Sequence, residues 1–308
     1  MSSQVTILGS NSAVSVHGRF PSGQVVQIEE HQILIDCGEG TQFRMNDYGI
    51  KKSKINTILI THLHGDHVFG LPGLLTSYQL AGRKAPLTIL GPKPIQKFLD
   101  VNLGGTGHFI DYPLEIIELD FKDIKAQKLT EVIELKNACI EAFELVHRID
   151  CIGYRVSEKT KPYKIRQEFL DKYKPTVREI KRVKKGLDYT LESGEVISNA
   201  NCALPPEAPR SYAYCSDTLF HPILMDILRG TTTIYHEATY LDELQAKARD
   251  RFHSTASEAG AIAKGAKAEQ LILGHFSSRY KDLQPFKSEA EAVFKTVKIA
   301  VEGKVFEI

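Results

Sequence analysis

Thr61-His62-Leu63-His64-Gly65-Asp66-His67 puts three imidazoles and a carboxylate within six positions, directly after the apolar run Thr57-Ile58-Leu59-Ile60. Residues two apart on extended chain point to the same side, so His62 and His64 can hold one cation together. Gly65 lets the backbone turn, and Asp66 and His67 can then face a second cation nearby. Burying three histidines and an aspartate without partners is costly, so bound metal is the economical explanation of the cluster. Its imidazole and carboxylate donors suit zinc, manganese or iron. Catalytic zinc takes about three protein ligands per ion, so the cluster needs further ligands from later in the chain. His147 ends the run Ile140–Val146, Asp217 follows Ser211–Cys215, and His275 ends Leu271-Ile272-Leu273-Gly274. Each alone also reads as a surface histidine or a capping aspartate. Their common place at strand ends is what marks them.

The elements that must position these residues are legible as short β-branched runs punctuated by Gly, Pro, Asn and Asp. Strands are expected at Val5–Leu8, Val25–Glu29, Gln32–Asp36, Thr57–Thr61 and Leu87–Leu90. Others follow at Glu131–Leu135, Ile140–Val146, Cys151–Val156, Ser211–Cys215, Thr232–His236 and Gln270–Leu273. Helices are expected at Leu71–Gly82, Pro94–Val101, Pro222–Leu228 and after Thr255, where Thr255-Ala256-Ser257-Glu258 matches a capping box. A strand-rich first half with helices interleaved throughout favours a layered α/β sandwich over a simple doubly wound sheet.

Between Arg155 and Tyr189 the chain carries twelve Lys or Arg against five acids, with Tyr163, Phe169, Tyr173 and Tyr189 interspersed. It reads either as a solvated pair of charged helices or as a basic arm for phosphates. The aromatics could stack on bases or pack a small core of the arm's own. The whole chain of 308 residues carries only +1, so the remainder is net acidic and a uniformly basic coat is excluded. Its 42% apolar and 25% charged residues are those of a globular protein with a real core. No apolar run nears the roughly 20 residues of a membrane span. Met1-Ser2-Ser3-Gln4 has no basic leader character, so no secretory signal is expected. Cys37, Cys139, Cys151, Cys202 and Cys215 include no Cys-x-x-Cys pair, which argues against a disulfide framework and fits a reducing cytoplasm.

The His-x-His-x-Asp-His stretch resembles the metallo-β-lactamase superfamily, and within it the chain resembles the ribonuclease Z family of tRNA 3′-processing endonucleases. The likeness runs nearly end to end, through Asp36-Cys37-Gly38-Glu39-Gly40, Gly70-Leu71-Pro72-Gly73-Leu74-Leu75 and Gly153-Tyr154-Arg155-Val156. The stretches His236-Glu237-Ala238-Thr239, His253-Ser254-Thr255 and Gly274-His275-Phe276-Ser277-Ser278-Arg279-Tyr280, with the basic arm, narrow it from superfamily to family.

The resemblance implies a single αββα four-layer sandwich over residues 1–308, with a flexible basic arm at 155–189 that clamps tRNA. It implies two zinc ions, one held by His62, His64 and His147, the other by Asp66, His67 and His275, with Asp217 bridging. Asp36 would orient a ligand from behind. Asp66 would accept the nucleophile's proton, and His253, held by Glu237, would protonate the leaving oxygen. The expected substrate is precursor tRNA, cut to leave a 3′-hydroxyl on the tRNA and a 5′-phosphate on the trailer, by a cytoplasmic homodimer. Another hydrolase of the superfamily, acting on small phosphodiesters or sulfate esters, and a non-catalytic RNA-binding protein are the rivals. Many members of the family carry a Pro-x-Lys-x-Arg-Asn-like loop linked to rejection of a mature CCA end. Here that stretch runs from Gly9 to Pro21, and only Arg19 echoes it, so the resemblance leaves CCA discrimination and the exact cleavage position open.

Overall fold

The computed structural model describes residues 3–104, 110–124 and 127–308; Met1 and Ser2, within the stretch read for a leader, lie outside them. The chain divides into two compact units, Met1–Ser157 with Arg210–Ile308 and, between them, Glu158–Pro209.

In the larger unit the apolar runs form two seven-stranded sheets. The first contains β1 (Gln4–Gly9), β2 (Gly23–Ile28), β3 (His31–Cys37), β4 (Ile55–Leu59), β5 (Leu87–Pro92) and β6 (Leu114–Leu119), in that order. The strand Val305–Glu307, numbered β18, closes its far edge beside β1. The second sheet holds β7 (Thr130–Glu134), β8 (Ala138–Leu145) and β9 (Cys151–Glu158). It continues through β14 (Ser211–Cys215), β15 (Thr233–Glu237), β16 (Gln270–Gly274) and β17 (Val297–Ile299).

Side chains alternate across each strand, and both faces are covered. Val5, Ile7, Val26, Ile28, Ile33 and Ile35 meet Ile140, Ile152, Tyr154 and Tyr212 in a core between the sheets. Leu8, Val25 and Leu34 turn the other way. They pack on Met45 of α1 (Thr41–Asp47), Val68 of α2 (Gly65–Val68), Leu71 and Leu75 of α3 (Leu71–Leu80), and Ile95 of α4 (Ile95–Leu99). Behind the second sheet, Ala213, Ile234 and Leu271 pack on Leu224 of α8 (Leu224–Ile227), Ile262 of α10 (Ala256–Gly265) and Phe286 of α11 (Gln284–Glu291). The order helix, sheet, sheet, helix is the expected four-layer sandwich. Among the described residues no helix is long and apolar enough to cross a membrane.

Sequence reading passed over β6, β17 and β18. The run Leu114-Glu115-Ile116-Ile117-Glu118-Leu119 is an edge strand whose side chains are mostly half-buried, so its alternation is blurred by acids. The other two have three residues each and exist through pairing with β16 and β1. The capping box at Thr255 forms as expected, with the Glu258 N–H donating to the threonine oxygen and the Thr255 N–H donating to the Glu258 carboxylate at 2.9 Å.

β3, β4, β5 and β6 run parallel, and so do β14, β15, β16 and β17. Parallel strands bring their carboxyl ends to a common edge, the usual place for ligands in α/β sheets. Asp36 is the penultimate residue of β3, His62–His67 follows β4, Asp217 follows β14, Glu237 ends β15 and His275 follows β16.

The smaller unit is built from β10 (Lys164–Ile165) paired with β13 (Ala203–Leu204), and β11 (Tyr189–Thr190) paired with β12 (Val196–Ile197). It also contains α5 (Gln167–Tyr173), α6 (Val177–Val183) and α7 (Asn199–Cys202), while α9 (Gln245–Asp250) belongs to the larger unit. Phe169, Val183, Tyr189, Cys202 and Ala203 form its core, against which Tyr163 and Tyr173 pack. The basic stretch read as 155–189 is therefore part of a unit that starts three residues later and runs to Pro209. Arg155 lies in β9, where its guanidinium pairs with Glu141 at 2.7 Å. Cys202 and Ala203 are needed to close the small core, which is why the unit extends past Tyr189. Its aromatics fill that core, and Lys172, Arg178, Lys181, Lys184 and Lys185 are exposed.

Candidate metal centre

The turn after β4 is held from beneath by Asp36. Its Oδ1 accepts from the Thr61 N–H at 2.8 Å, and its Oδ2 accepts from Nδ1 of His67 at 2.7 Å and from the Tyr214 hydroxyl at 3.2 Å. With Nδ1 committed, His67 presents Nε2 to the site. Asp36 has φ 56° and His275 has φ 58°. Left-handed backbone at two non-glycine residues is strain held by the surrounding structure, and both positions serve this one site. A Cβ on Gly38 would run into the Asp66 carbonyl, and one on Gly70 into that of Gly38, so these glycines let the Asp36 loop lie flat on the histidine turn.

Every sequence-designated ligand position lies in two adjoining groups. His62, His64, His147 and Asp217 bring one ligand atom each within 4.8 Å of one another, as do Asp66, His67 and His275. In the first group His64 Nδ1 lies 3.1 Å from His62 Nε2 and 3.3 Å from His147 Nε2. In the second, the Nε2 atoms of His67 and His275 are 3.3 Å apart, each 3.6 Å from Asp66 Oδ2. Asp217 reaches both: Oδ2 is 3.7 Å from His62 and from His147, while Oδ1 is 3.4 Å from His67 and 3.1 Å from His275.

This donor set fits cations. Asp217 Oδ1 is fully buried and accepts no hydrogen bond among the described residues. The imidazole nitrogens converge at distances that let a cation between them take their lone pairs. Burial holds His62, His64 and His147 below their ordinary pKa, which keeps them in the neutral, ligating form. Burial also works against a charged His67, but Asp66, Asp217 and Asp36 outweigh it and push the ring up to about 10. Three carboxylates around one imidazole call for positive charge here, which a divalent ion supplies as the ring's proton leaves. Burial penalises the Asp217 carboxylate too, yet His275 and His67 hold it well below the usual range, so it is ionised.

His253 and Glu237 adjoin this centre. Glu237 Oε1 accepts from His253 Nδ1 at 2.8 Å, and the backbone N–H groups of Thr218 and Thr239 donate to the same carboxylate at 3.1 and 2.9 Å. Burial lowers the His253 pKa, but Glu237 more than compensates and raises it to about 9. Glu237 thus favours the protonated ring, which lies 5.3 Å from the His147 ring and 5.5 Å from that of His275. It also stands within ligand reach of Asp217 and His275.

Two contributors escaped sequence reading. Thr239 donates its hydroxyl to Glu237 Oε2 at 2.7 Å and lies 2.9 Å from His275 Nδ1, joining the Glu237–His253 pair to a candidate ligand. Its place two residues after Glu237 on an extended chain, and so on the same side, is the signal that could have found it. The other is a backbone group: the Ala13 N–H donates to Asp66 Oδ2 at 2.8 Å, which no side-chain pattern reveals. Above the centre opens a cavity of about 420 Å³ whose walls include Ala13, Tyr240, His253 and Arg279.

Residues 3–159 match the family described as Anti-Pycsar protein Apyc1. The chain is 40% identical over 299 residues to a ribonuclease Z of Parabacteroides distasonis, covering 97% of each protein. Among solved structures it is similar to human tRNase Z, short form, with TM-score 0.72, 26% identity and 99% coverage of both chains. It also shares its fold with the metallo-β-lactamase fold protein YhfI of Bacillus subtilis, at TM-score 0.70, 18% identity and 99% coverage of both. By descent as well as by architecture, the chain belongs to the ribonuclease Z family, its first half falling also within the family described as Anti-Pycsar protein Apyc1.

Proposed function

We propose that this protein is a metal-dependent endoribonuclease that removes 3′ trailers from tRNA precursors, using two zinc ions per chain. The observation that carries the reading is the division of the Asp217 oxygens between two ligand groups, with the His253–Glu237 pair beside them. His62, His64 and His147 would hold one ion and Asp66, His67 and His275 the other. Such ions would lower the pKa of bound water toward about 7 and neutralise charge on the phosphate oxygens.

The chain's own residues supply the proton traffic. Asp66, fixed by the Ala13 N–H, accepts the proton of the attacking water. As the bond between phosphorus and the 3′-oxygen breaks, His253 gives that oxygen its proton. Glu237 anchors Nδ1 of the ring, so Nε2 is the nitrogen left to donate. The products are a tRNA 3′-hydroxyl and a trailer 5′-phosphate. The basic unit Glu158–Pro209 acts as the tRNA clamp, and the enzyme works as a cytoplasmic homodimer in which one subunit's clamp holds the tRNA that the other cuts.

Incubation with a 3′-extended tRNA transcript, with and without CCA, followed by mapping of both product ends, tests the reading. A cut at the 3′ side of the tRNA body with those termini, lost in His64→Ala, is expected. Hydrolysis of bis(p-nitrophenyl) phosphate with no cleavage of the transcript would instead favour a small-phosphodiester enzyme.

A further inference from the structure

Besides the candidate ligands, the cavity is lined by Arg148, Lys247, Arg251 and Arg279. Three of these cations belong to one region. Arg148 follows His147, and Arg251 stands two residues before His253. The loop after β8 is pinned to the end of α9, with His147 Nδ1 donating to the Phe252 carbonyl at 3.0 Å and Arg148 Nη2 reaching the Asp250 carbonyl at 3.4 Å. The Arg251–Asp250 pair, 3.2 Å apart, has both side chains more than half exposed and is worth little. Lys247 has no acidic partner among the described residues. These positive groups line the cavity beside the centre and are not used up by the fold.

The loop from Ser10 to Ser22 does the opposite. Its Arg19 gives Nε to Asn11 Oδ1 at 2.9 Å and its Nη atoms to the carbonyls of Tyr280 and Lys281, so that guanidinium is spent within the structure. The cations available to substrate beside His253 come from the β8 loop, from α9 and from Arg251 just past its end. A small diester seated on two metal ions would leave them unbalanced; a polynucleotide brings further phosphates to meet them.

The chemistry sets which phosphates. If His253 protonates the departing 3′-oxygen, the nucleotide bearing that oxygen lies on the side of the cavity where Arg148, Lys247 and Arg251 stand. We propose that Arg148, Lys247 and Arg251 form a subsite for the backbone phosphate immediately 5′ of the scissile bond, within the last nucleotides of the mature tRNA. The inference deepens the tRNA-cleavage reading and rests on it.

The test uses full-length precursor tRNA assembled by ligation, with one neutral methylphosphonate (its ribose 2′-O-methylated) at the phosphate 5′ or 3′ of the scissile bond. kcat/KM is measured for the wild-type chain and for the Lys247→Ala/Arg251→Ala double variant, with Arg148→Ala as a second, independent variant. Neutralising the 5′ phosphate should cost the wild type on the order of tenfold and the variants less than about twofold, while the 3′ substitution costs all alike. Because the readout is a ratio of ratios, a general loss of activity in a variant cancels. Equal penalties at the 5′ position, or a difference appearing at the 3′ position instead, would overturn the subsite. Wild-type protein that leaves the unmodified precursor intact would take down the cleavage reading itself, a result distinct from either.

Discussion

In the metal centre, His62, His67, Asp217 and His275 are at most 3% exposed, and each histidine has its second nitrogen occupied or faced by a neighbouring group. In the unit Glu158–Pro209 a core of five buried residues carries a shell of exposed lysines and arginines. The first arrangement tolerates no displacement, because ions and a reacting phosphate must meet fixed lone pairs. As the tRNA clamp proposed above, the second would need only charge, reach and a scaffold that keeps its basic helices formed, because attraction to phosphates is indifferent to small shifts. The buried region spends its charges on one another. The exposed one leaves most of its lysines and arginines at the surface.

The sharpest way to break this contrast is to damage the centre. Asp217→Ala should lower precursor cleavage on the order of a thousandfold and reduce the bound metal, read by single-turnover kinetics and metal analysis. A variant with full metal content and near-normal rate would remove the bridging role.

Next in size is His253→Ala, expected to slow precursor cleavage by roughly a hundredfold or more. It should slow bis(p-nitrophenyl) phosphate hydrolysis far less, since nitrophenolate departs without a proton. The pH profile supplies the sign. The protonated ring is the working form, so rate falls as pH rises through its raised pKa, about 9. Glu237→Gln removes the carboxylate that raises it, and the alkaline limb should move to lower pH. An unmoved limb assigns that limb to another group.

Excising the basic unit tests the other side of the comparison. Ser157 stands opposite Ser211 in the β9–β14 pairing, so the chain can be rejoined there by a two-residue Asn-Gly turn in place of residues 158–210. A cut confined to 160–188 would instead split the small core. Excision should raise KM for precursor tRNA by about tenfold to a hundredfold and flatten its salt dependence, with little change on the small diester. Equal losses on both substrates would show that the two regions do not divide the work.

The smallest effect is expected from Thr239→Val, which removes the hydroxyl between Glu237 and His275. The cost should be about tenfold in kcat, and about 1–3 kcal/mol of stability from leaving buried polar atoms without a partner, read by urea unfolding.

The amino-acid order alone settled the chemistry of this protein more than its shape. Three histidines and an aspartate within six positions, after an apolar strand, announce a cation site because chain stereochemistry over so short a span leaves few alternatives. His147, Asp217 and His275 were legible as strand-end residues, and Asp36 through its family-like loop. What only the tertiary structure decided depends on register between sheets and on backbone atoms. It set the oxygen Asp217 turns to each ligand group, the Ala13 N–H on Asp66, the Thr239 link, the true limits of the basic unit, and the cations beside His253. These pairings join positions up to about two hundred residues apart, and no local pattern encodes them; they exist once two twisted sheets have packed and fixed which strand ends meet.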